Sequence, residues 1–496
     1  MPRGSILAAL LAAAVVLTAA AWLRGAEYDE QYTLFLTGGV ARPMWPDHAF
    51  AAGEVQAMQA GHAGFGTVAR DLRSGDVHPP LYFWAVAAWR WLVGDGLFAA
   101  RLFSVLCGVG ALGLVAVIAR RFGANAVMAL LLTLGCYGFV YINVVARGFA
   151  LAQLLLLAGV AVLCAPRRPG RLLEVAAGML LGAATFTNYL AVFVALGALS
   201  WWCAWPRLRS LGDRGLWRCG MAAVLGFAVW LPADAWFFLA QRGSRAGQFP
   251  PFELGPSLAR LARYFGANLF GGLPFYLGGI ASSAVSAVLG VLLISLIVLI
   301  VRRWRRGAEP ARRALLAICA AAMPVGLLLL GLVFDNTPIE LRYLAFATPF
   351  IGLLLATLPR SVCGVVLAIQ AASIVGLMTR PETMQPARAT AVAAAALVGD
   401  GVVLVPRGND GVGIVGAFAI EAPPGLHMLV IGRDESPAQI RARVGQYHRV
   451  VLALFGQDAD SRATLPAMRE TFAGPCWRAV GEAGGVLAFT RICGEE

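Results

Sequence analysis

The chain has 496 residues, of which 59% are hydrophobic and only 14% are charged, well below the roughly 25% of charged residues in soluble globular domains. This composition excludes a soluble globular enzyme and indicates a polytopic membrane protein. The net charge of +13 would indicate nucleic-acid binding in a soluble chain, but here the arginines cluster in short loops between apolar runs, as the positive-inside rule describes.

The first apolar run extends from Ile6 to Leu23 behind Arg3, which fits either a signal peptide or a first membrane span. We expect an uncleaved anchor that enters from the cytoplasm. The polar segment 24–80 then forms an external loop, and it has to stay tethered if it belongs to a multi-span enzyme.

Ten further apolar runs are near the roughly 17–25 residues that a helix needs to cross the hydrocarbon core. The shorter run from Leu81 to Val93 would place every later basic cluster outside if it crossed, so we predict an interfacial or re-entrant helix with its tryptophans at headgroup level. The result is about eleven spans and an external C-terminus. The ten runs lie at about 97–118, 125–142, 148–165, 172–187, 189–206, 220–240, 276–301, 314–334, 342–358 and 362–379.

Beyond this transmembrane domain, residues 1–380, the composition changes. Residues 381–496 contain short apolar runs bounded by Gly, Pro and Asp, which predicts a small extracytoplasmic α/β domain. Ser436 and Pro437 favour the start of a helix over 436–446. The glycines of 408–413 lack the strand-then-helix setting of a phosphate-binding loop, and Cys476 and Cys493 can pair if the domain is extracytoplasmic.

Asp29 and Glu30 follow directly on the first span. A carboxylate at the edge of the bilayer is a candidate general base, because reduced hydration raises its pKa. The alternative is that both acids only cap a loop helix.

The stretch Asp76-Val77-His78-Pro79-Pro80-Leu81-Tyr82 presents His78 at the start of a helix, since two prolines stop any helix before it and suit the first turn of the next. Helix N-termini attract anions, including phosphate. The alternative is a loop-to-helix junction with His78 as a cap.

Arginines occur at the ends of several apolar runs. Arg101 and Arg147 either face a cavity or a partner or extend to lipid headgroups. Arg342 and Tyr343 offer a guanidinium and a phenol at the same depth, and together with the other arginines they are suited to bind a phosphate. On the predicted topology these candidate site residues share the outer face: Asp29, Glu30, Asp76, His78, Arg147, Asn188, Tyr189, Arg242, Arg245, Arg342 and Tyr343.

Four motifs in this order resemble the glycosyltransferase family 39 group, which has the GT-C fold and includes protein O-mannosyltransferases and lipid A aminoarabinose transferases. The resemblance covers roughly residues 1–380. The motifs are Asp29-Glu30 with the later His78-Pro79-Pro80-Leu81-Tyr82, then Ala99-Ala100-Arg101-Leu102-Phe103-Ser104, then Val145-Ala146-Arg147-Gly148-Phe149-Ala150, and finally Leu341-Arg342-Tyr343-Leu344.

The resemblance implies an inverting transfer of one sugar from a polyprenyl-phosphate carrier to an envelope lipid or glycan at the periplasmic face of the inner membrane. Asp29 would accept the proton of the attacking hydroxyl, and Glu30 would support it or contact the acceptor. Arg101, Arg147 or Arg342 would stabilise the departing phosphate, and His78 would lie beside the sugar or phosphate. Acceptor contact or gating falls to Asp76, Tyr82, Asn188, Tyr189 and, in the external loop 241–275, Arg242 and Arg245.

The chain also departs from the group. It contains no lysine, so arginine must make any phosphate contact that lysine makes in relatives, and Asn188-Tyr189 stands where relatives often have a histidine with aromatics. The large β-rich domain of eukaryotic O-mannosyltransferases is absent, which makes a protein acceptor less favoured. No cofactor can be inferred from the sequence, and a divalent metal is neither required nor excluded. A transporter or flippase of an anionic lipid-linked sugar is the alternative function.

Overall fold

The computed structural model describes residues 3–165, 169–204, 213–241, 250–305, 310–336, 339–380, 386–456 and 458–493. Within these ranges the chain is mainly helical, with one β-sheet. The helices are α1 Arg3–Leu23, α2 Tyr28–Gly38, α3 Ala52–Ala60, α4 Phe65–Gly75, α5 Leu81–Val93, α6 Leu97–Arg121, α7 Ala126–Leu134, α8 Tyr137–Val144, α9 Phe149–Leu163, α10 Arg171–Thr185, α11 Ala191–Ala204, α12 Asp213–Ala228, α13 Leu231–Gln241, α14 Leu254–Leu269, α15 Gly279–Arg305, α16 Pro310–Phe334, α17 Thr348–Leu355, α18 Arg360–Thr379, α19 Ala387–Val398, α20 Gly413–Glu421, α21 Pro437–Val444 and α22 Ala459–Thr471.

The contacts divide the chain into two units. Unit 1 comprises Met1–Trp22, Asp76–Tyr82 and Arg101–Arg380, and unit 2 comprises Leu23–Gly75, Phe83–Ala100 and Pro381–Glu496. The C-terminal residues expected to form their own domain thus group with most of the first loop.

Unit 1 contains most of the apolar helices. Over the described ranges, five helices are long and apolar enough to cross a membrane, or up to seven if the bent pairs α7–α8 and α12–α13 each count as one span. These confirm a polytopic membrane protein. The other four expected spans appear as α9, α10, α11 and α17, of 8–15 residues, so the number of eleven crossings stays a prediction.

The bend between α7 and α8 is 71°, and side chains of other helices bond the backbone groups that it releases. The Gln370 amide donates to the carbonyls of Leu132 (3.2 Å) and Leu269 (2.8 Å). Asn268 Oδ1 accepts from the N–H of Gly138 at 2.8 Å. Such compensation is required wherever a helix breaks in an apolar environment.

The helix α5 has the bounds expected from the sequence, Leu81–Val93. Pro79 and Pro80 precede it and Gly94, with a positive φ of 127°, follows it. At 13 residues it is shorter than a membrane span. Its interfacial or re-entrant placement stays a prediction.

Unit 2 is built on a six-stranded sheet with the order β1-β3-β2-β4-β6-β5. The strands β2, β3 and β4 are parallel, whereas β1, β5 and β6 pair antiparallel with their neighbours. This confirms the small α/β domain. The strands are β1 Phe50–Ala51, β2 Val402–Pro406, β3 His427–Ile431, β4 Arg449–Ala453, β5 Trp477–Ala483 and β6 Val486–Arg491.

Helices cover both faces of this sheet. Because side chains alternate along a strand, Val403 and Val405 pack in one core with α2, α3, α19 and α20, while Val402 and Leu404 pack in a second core with α21 and α22. The predicted start of α21 is confirmed: Ser436 precedes Pro437 and its side chain accepts from the N–H of Gln439. The acid-bearing helix α2 therefore belongs to the core of the C-terminal fold.

The expectation for the glycines of 408–413 was wrong in one respect. They do lie between a strand, β2, and a helix, α20. The loop is nevertheless occupied by the protein itself. Asp458 Oδ2 accepts from the N–H of Asn409 at 3.2 Å and would lie 2.7 Å from a Cβ on Gly408.

Candidate active site

Three charged or titratable side chains of unit 1 meet at the start of α5. His78 Nδ1 lies 3.0 Å from Asp76 Oδ1 and 3.4 Å from Arg147 Nη2, and Arg147 Nη1 lies 3.7 Å from Asp76 Oδ2. Asp76 and His78 come from the segment before α5, and Arg147 comes from the turn between α8 and α9. The sequence named all three and the structure brings them together.

This cluster is buried: Asp76 is 7% exposed, His78 9% and Arg147 4%. Burial alone would raise the pKa of the Asp76 carboxyl, but the charges of Arg147 and His78, with hydrogen bonds from His78 and the N–H of Val77, hold it well below its usual range. Asp76 is therefore ionised. Because a carboxylate only accepts, His78 Nδ1 donates in its bond to Asp76. The approach of Arg147 Nη2 to the same nitrogen at 3.4 Å is then a contact and not a hydrogen bond.

Two further polar side chains extend the cluster. Gln241, at the end of α13, donates to the carbonyl of His78 at 3.0 Å and accepts from the hydroxyl of Tyr189 at 3.0 Å. Tyr189 packs edge-on against Phe238. The Gln241 amide thus ties the backbone of His78 to the turn that precedes α11.

The turn that carries Arg147 depends on Gly148. A Cβ at this position would lie 2.9 Å from the carbonyl oxygen of Thr187 and 3.4 Å from Tyr82 Cβ. Tyr82 itself is fully buried and contacts the ring of Phe103 and the hydroxyl of Ser104. The parts of three motifs that lie in unit 1 therefore pack together through Tyr82 and Gly148: residues 78–82, 101–104 and 145–150.

The fourth motif joins them through aromatic rings. Tyr343 stacks on Phe149 at 6.3 Å between ring centroids, and Phe149 also contacts Phe346. Arg342 lies 5.5 Å above the ring of Tyr343 and forms an ion pair with Glu340 at 2.5 Å. The guanidinium and the phenol ring thus lie against each other.

Two predicted residues make contacts of a structural kind. Arg101, 2% exposed, donates to the carbonyl of Ala21 at 2.8 Å, in the last turn of α1. Asn188 Oδ1 accepts from the N–H of Leu190 at 3.1 Å, while its buried Nδ2 has no hydrogen-bond partner. Both satisfy backbone groups at helix ends.

Asp29 and Glu30 lie in the first turn of α2, in unit 2. Glu30 is fully buried, and its Oε2 accepts from the N–H of Glu27 at 3.0 Å. Glu30 therefore caps its own helix. Asp29 is partly exposed, and the catalytic assignments of both acids stay predictions.

Arg242 and Arg245 lie outside the described residues.

Two polar residues near the cluster were not predicted from the sequence. They are Gln241 and Asp234, whose Oδ2 accepts from the Thr185 hydroxyl at 2.7 Å. Asp234 had a usable signal, since an acid inside an apolar run is costly and often functional. Gln241 had none, because its role depends on a contact with a residue 163 positions away.

Neither a metal site nor a cavity among the described residues adds a residue to the cluster of Asp76, His78 and Arg147. In the described part of the chain, no three His, Cys, Asp or Glu side chains are grouped so as to hold a metal ion. A cavity of about 280 Å³ in unit 2 is lined by Trp45, Arg407 and Arg443 among others. None of the predicted site residues lines it.

Comparison with known proteins gives one family and one fold. Residues 77–233 match the family of dolichyl-phosphate-mannose-protein mannosyltransferases; this range contains His78, Arg147 and Tyr189. No curated protein matches the chain significantly.

The fold is similar to that of ArnT from Cupriavidus metallidurans. Its crystal structure bound to undecaprenyl phosphate superposes with a TM-score of 0.54 at 15% identity over 99% of both chains, and the apo structure with 0.54 at 14% identity over 99% of this chain and 98% of that one. The Saccharomyces cerevisiae protein O-mannosyltransferase Pmt1-Pmt2 complex, bound to the sugar donor, gives 0.34 at 16% identity over 50% of this chain and 35% of that one, from which we draw nothing. The family match and the ArnT fold confirm the resemblance found in the sequence.

Proposed function

We propose that this chain, a glycosyltransferase of the GT-C family 39 group, moves a single sugar from a polyprenyl-phosphate carrier to an envelope lipid or glycan acceptor, with inversion at the anomeric carbon. The observation that carries the proposal is the buried cluster of Asp76, His78 and Arg147 at the start of α5. The family match favours this transfer over the transporter alternative.

The cluster is suited to a phosphate group. Arg147 offers planar, paired donors that match phosphate oxygens, and the N–H groups at the start of α5 favour an anion. The 3.7 Å separation of Arg147 and Asp76 is longer than a hydrogen bond, so charge rather than a tight bond holds the pair. Arg147 would turn its donors to the carrier phosphate while Asp76 keeps the His78 ring in place.

The proposed reaction is a single displacement. A hydroxyl oxygen of the acceptor bonds to the anomeric carbon from the face opposite the carrier, and the bond from that carbon to the phosphate oxygen breaks with its electron pair. The hydroxyl proton passes to the carboxylate of Asp29. The polyprenyl phosphate that leaves gains negative charge, which Arg147 stabilises in a buried site where such contacts are strong.

The site and the C-terminal domain would face the periplasm. Support comes from the bond between Cys476 and Cys493, whose Cα atoms lie 4.9 Å apart, since disulfides persist in oxidising compartments. Four cysteines of the apolar helices are buried and form no disulfide: Cys107, Cys136, Cys319 and Cys363. Sugar acceptors of the envelope are exposed on the same outer side.

Transfer of a radiolabelled sugar from polyprenyl phosphate to membrane lipid fractions tests the function. Asp29→Asn should lower the rate by about 10²–10⁴-fold, the usual contribution of a general base. Asp434→Asn is the matched control, because it makes the same change at an exposed acid of the same unit. Undiminished transfer by Asp29→Asn would remove the proposed base, and no transfer by the wild type from any such donor would remove the function.

A further inference from the structure

The C-terminal fold holds the segment that leads into α2 by its main chain. Glu421, the last residue of α20, accepts from the N–H of Ala26 at 2.7 Å. Arg388 of α19 donates to the carbonyls of Leu23 at 2.9 Å and Arg24 at 3.2 Å. The carbonyls of Leu23 and Arg24 and the N–H of Ala26 are thus bound from the C-terminal part of the chain.

Arg388 and Glu421 also bind each other. Arg388 Nε lies 2.8 Å from Glu421 Oε2, and Nη2 lies 3.4 Å from Oε1. Each side chain therefore orients the other while bonding the same stretch of backbone. Charge-assisted bonds of this kind are about twice as strong as neutral ones, so the pair holds the main chain that leads into α2.

The opposite end of α20 holds the first turns of α2. Asp410 Oδ2 accepts from the Tyr32 hydroxyl at 2.6 Å, while Asp410 Oδ1 accepts from the N–H of Val412 at 3.0 Å. The ring of Tyr28 lies so close to Gly413 that a Cβ there would be 2.3 Å from it. Only glycine lets α20 approach α2 this closely.

The C-terminal end of the nine-residue helix α20 therefore binds the segment just before α2, and the residues at its N-terminal end contact Tyr28 and Tyr32. These contacts lie on either side of Asp29 in the chain. If α20 only shielded an apolar surface of α2 from water, side-chain packing would be enough. Such packing is also present, because Phe35 of α2 and Phe418 of α20 belong to the same buried core. The hydrogen bonds from the charged side chains of Arg388 and Glu421 to the main chain before α2 have a different effect, because they fix the orientation of that segment. Orientation matters at a general base, because a displacement of about 1 Å can cost on the order of 10²-fold in rate.

We infer that the C-terminal α/β domain is a positioning module for catalysis: Arg388, Glu421 and Asp410 hold the first turn of α2 in the orientation in which Asp29 accepts a proton. This role rests on the proposed function, since it assumes that Asp29 is the base. The three residues act through α2 and touch no substrate.

Steady-state kinetics of the full-length enzyme test the inference through Arg388→Gln, Glu421→Gln and Asp410→Asn. Each should lower kcat about tenfold or more, because the base is misplaced, and leave the KM for the donor within about twofold, because uniform binding is untouched. The double variant of Arg388 and Glu421 should lose little more than either single one, as expected of two residues that act as a unit. Arg433→Gln, which breaks the exposed ion pair with Asp460 in the same domain, should leave kcat unchanged.

The rates are to be divided by the fraction of folded protein, obtained from the thermal unfolding of each variant. Arg388→Lys, which keeps the charge, should recover part of the lost kcat. The inference is overturned if kcat per folded molecule stays within twofold of wild type, or if donor KM rises in step with the loss of kcat. If Asp29→Asn abolishes transfer and these variants do not slow it, only this inference fails; if Asp29→Asn is fully active, the proposed base fails first.

Discussion

Each unit contains an arginine–carboxylate pair, and the two pairs differ in burial and in how closely they are bonded. In unit 1, Arg147 and Asp76 are 5% and 7% exposed but 3.7 Å apart. In unit 2, Arg388 and Glu421 are 40% and 11% exposed but 2.8 Å apart, and Arg388 also bonds two carbonyls. The more deeply buried pair is the more loosely bonded one.

If the two pairs served stability alone, the more deeply buried pair would be the more closely bonded one. Taking two charges out of water costs several kcal/mol per ion, and only good geometry with additional hydrogen bonds offsets it. The unit 2 pair has a 2.8 Å bond, whereas Arg147 and Asp76 are 3.7 Å apart and Asp76 is bonded instead by the N–H of Val77 and by His78. Catalytic contacts are often long before substrate binds and shorten in the complex, which explains why a loose pair is retained at the proposed phosphate site.

Among the variants that test this comparison, replacement of Arg147 should have the largest effect on the rate of sugar transfer. Arg147→Gln should lower transfer by about 10²–10³-fold, because it removes a fixed donor from the place where charge develops. Arg360→Gln, at an exposed arginine of the same unit, is the matched control and should transfer at the wild-type rate. The measurement is label transfer from polyprenyl phosphate under identical donor concentrations.

Equal transfer rates for the Arg147 variant and its control would contradict the proposed role of the Arg147–Asp76 pair. If Arg147→Gln transfers as fast as Arg360→Gln, the loose pair in unit 1 has no role in the reaction. The buried charge would then need a purely structural explanation.

Asp76→Asn should have the next largest effect, about 10–100-fold, the size seen when a group that orients an imidazole is removed. An amide can still approach His78 Nδ1, but it no longer balances the charge of Arg147. Transfer rates and the unfolding midpoint should be measured together. A large drop in the midpoint with an unchanged rate per folded molecule would show that Asp76 only supports the fold.

Local sequence signals predicted the elements around this site well. Pro79 and Pro80 fixed the start of α5, and Ser436 fixed that of α21, because these residues act within one turn of the chain. The motifs also identified His78 and Arg147, since an ionisable residue beside an apolar run is rare.

Contacts between residues that are far apart in the chain could not be predicted from the sequence. Nothing local shows that Phe50 and Ala51 pair with β3, since two residues have no period to recognise. Gln241 and Arg388 look like ordinary polar residues at helix ends until the fold brings their partners near. These residues act on main-chain groups, which no side-chain pattern reveals.

Gly148→Ala should affect stability first. Its Cβ would lie 2.9 Å from the Thr187 carbonyl oxygen, and such overpacking typically costs about 1–3 kcal/mol. The thermal midpoint should fall, and transfer should fall with it because Arg147 is the preceding residue. Gly170→Ala is the control, since nothing lies within 4 Å of its Cβ; equal midpoints for the two variants would contradict the packing described here.

The pH dependence should give the smallest effect. The pKa of Asp76 is lowered in the folded protein, so its stabilising contribution is present above its ordinary pKa of about 3.9 and is lost as pH falls through the lowered value. The difference in unfolding midpoint between wild type and Asp76→Asn should therefore stay constant from about pH 5 to 8 and shrink below about pH 4. A difference that grows as the pH falls has the wrong sign for this account.

Binding of labelled polyprenyl phosphate to the purified protein tests the central claim most directly, because it isolates phosphate recognition from catalysis. Wild type and Arg360→Gln should bind with equal affinity. Arg147→Gln should bind about thirtyfold more weakly, the equivalent of at least about 2 kcal/mol for a buried charge contact. Equal affinity of all three proteins would contradict the assignment of the Asp76, His78 and Arg147 cluster as the carrier-phosphate site.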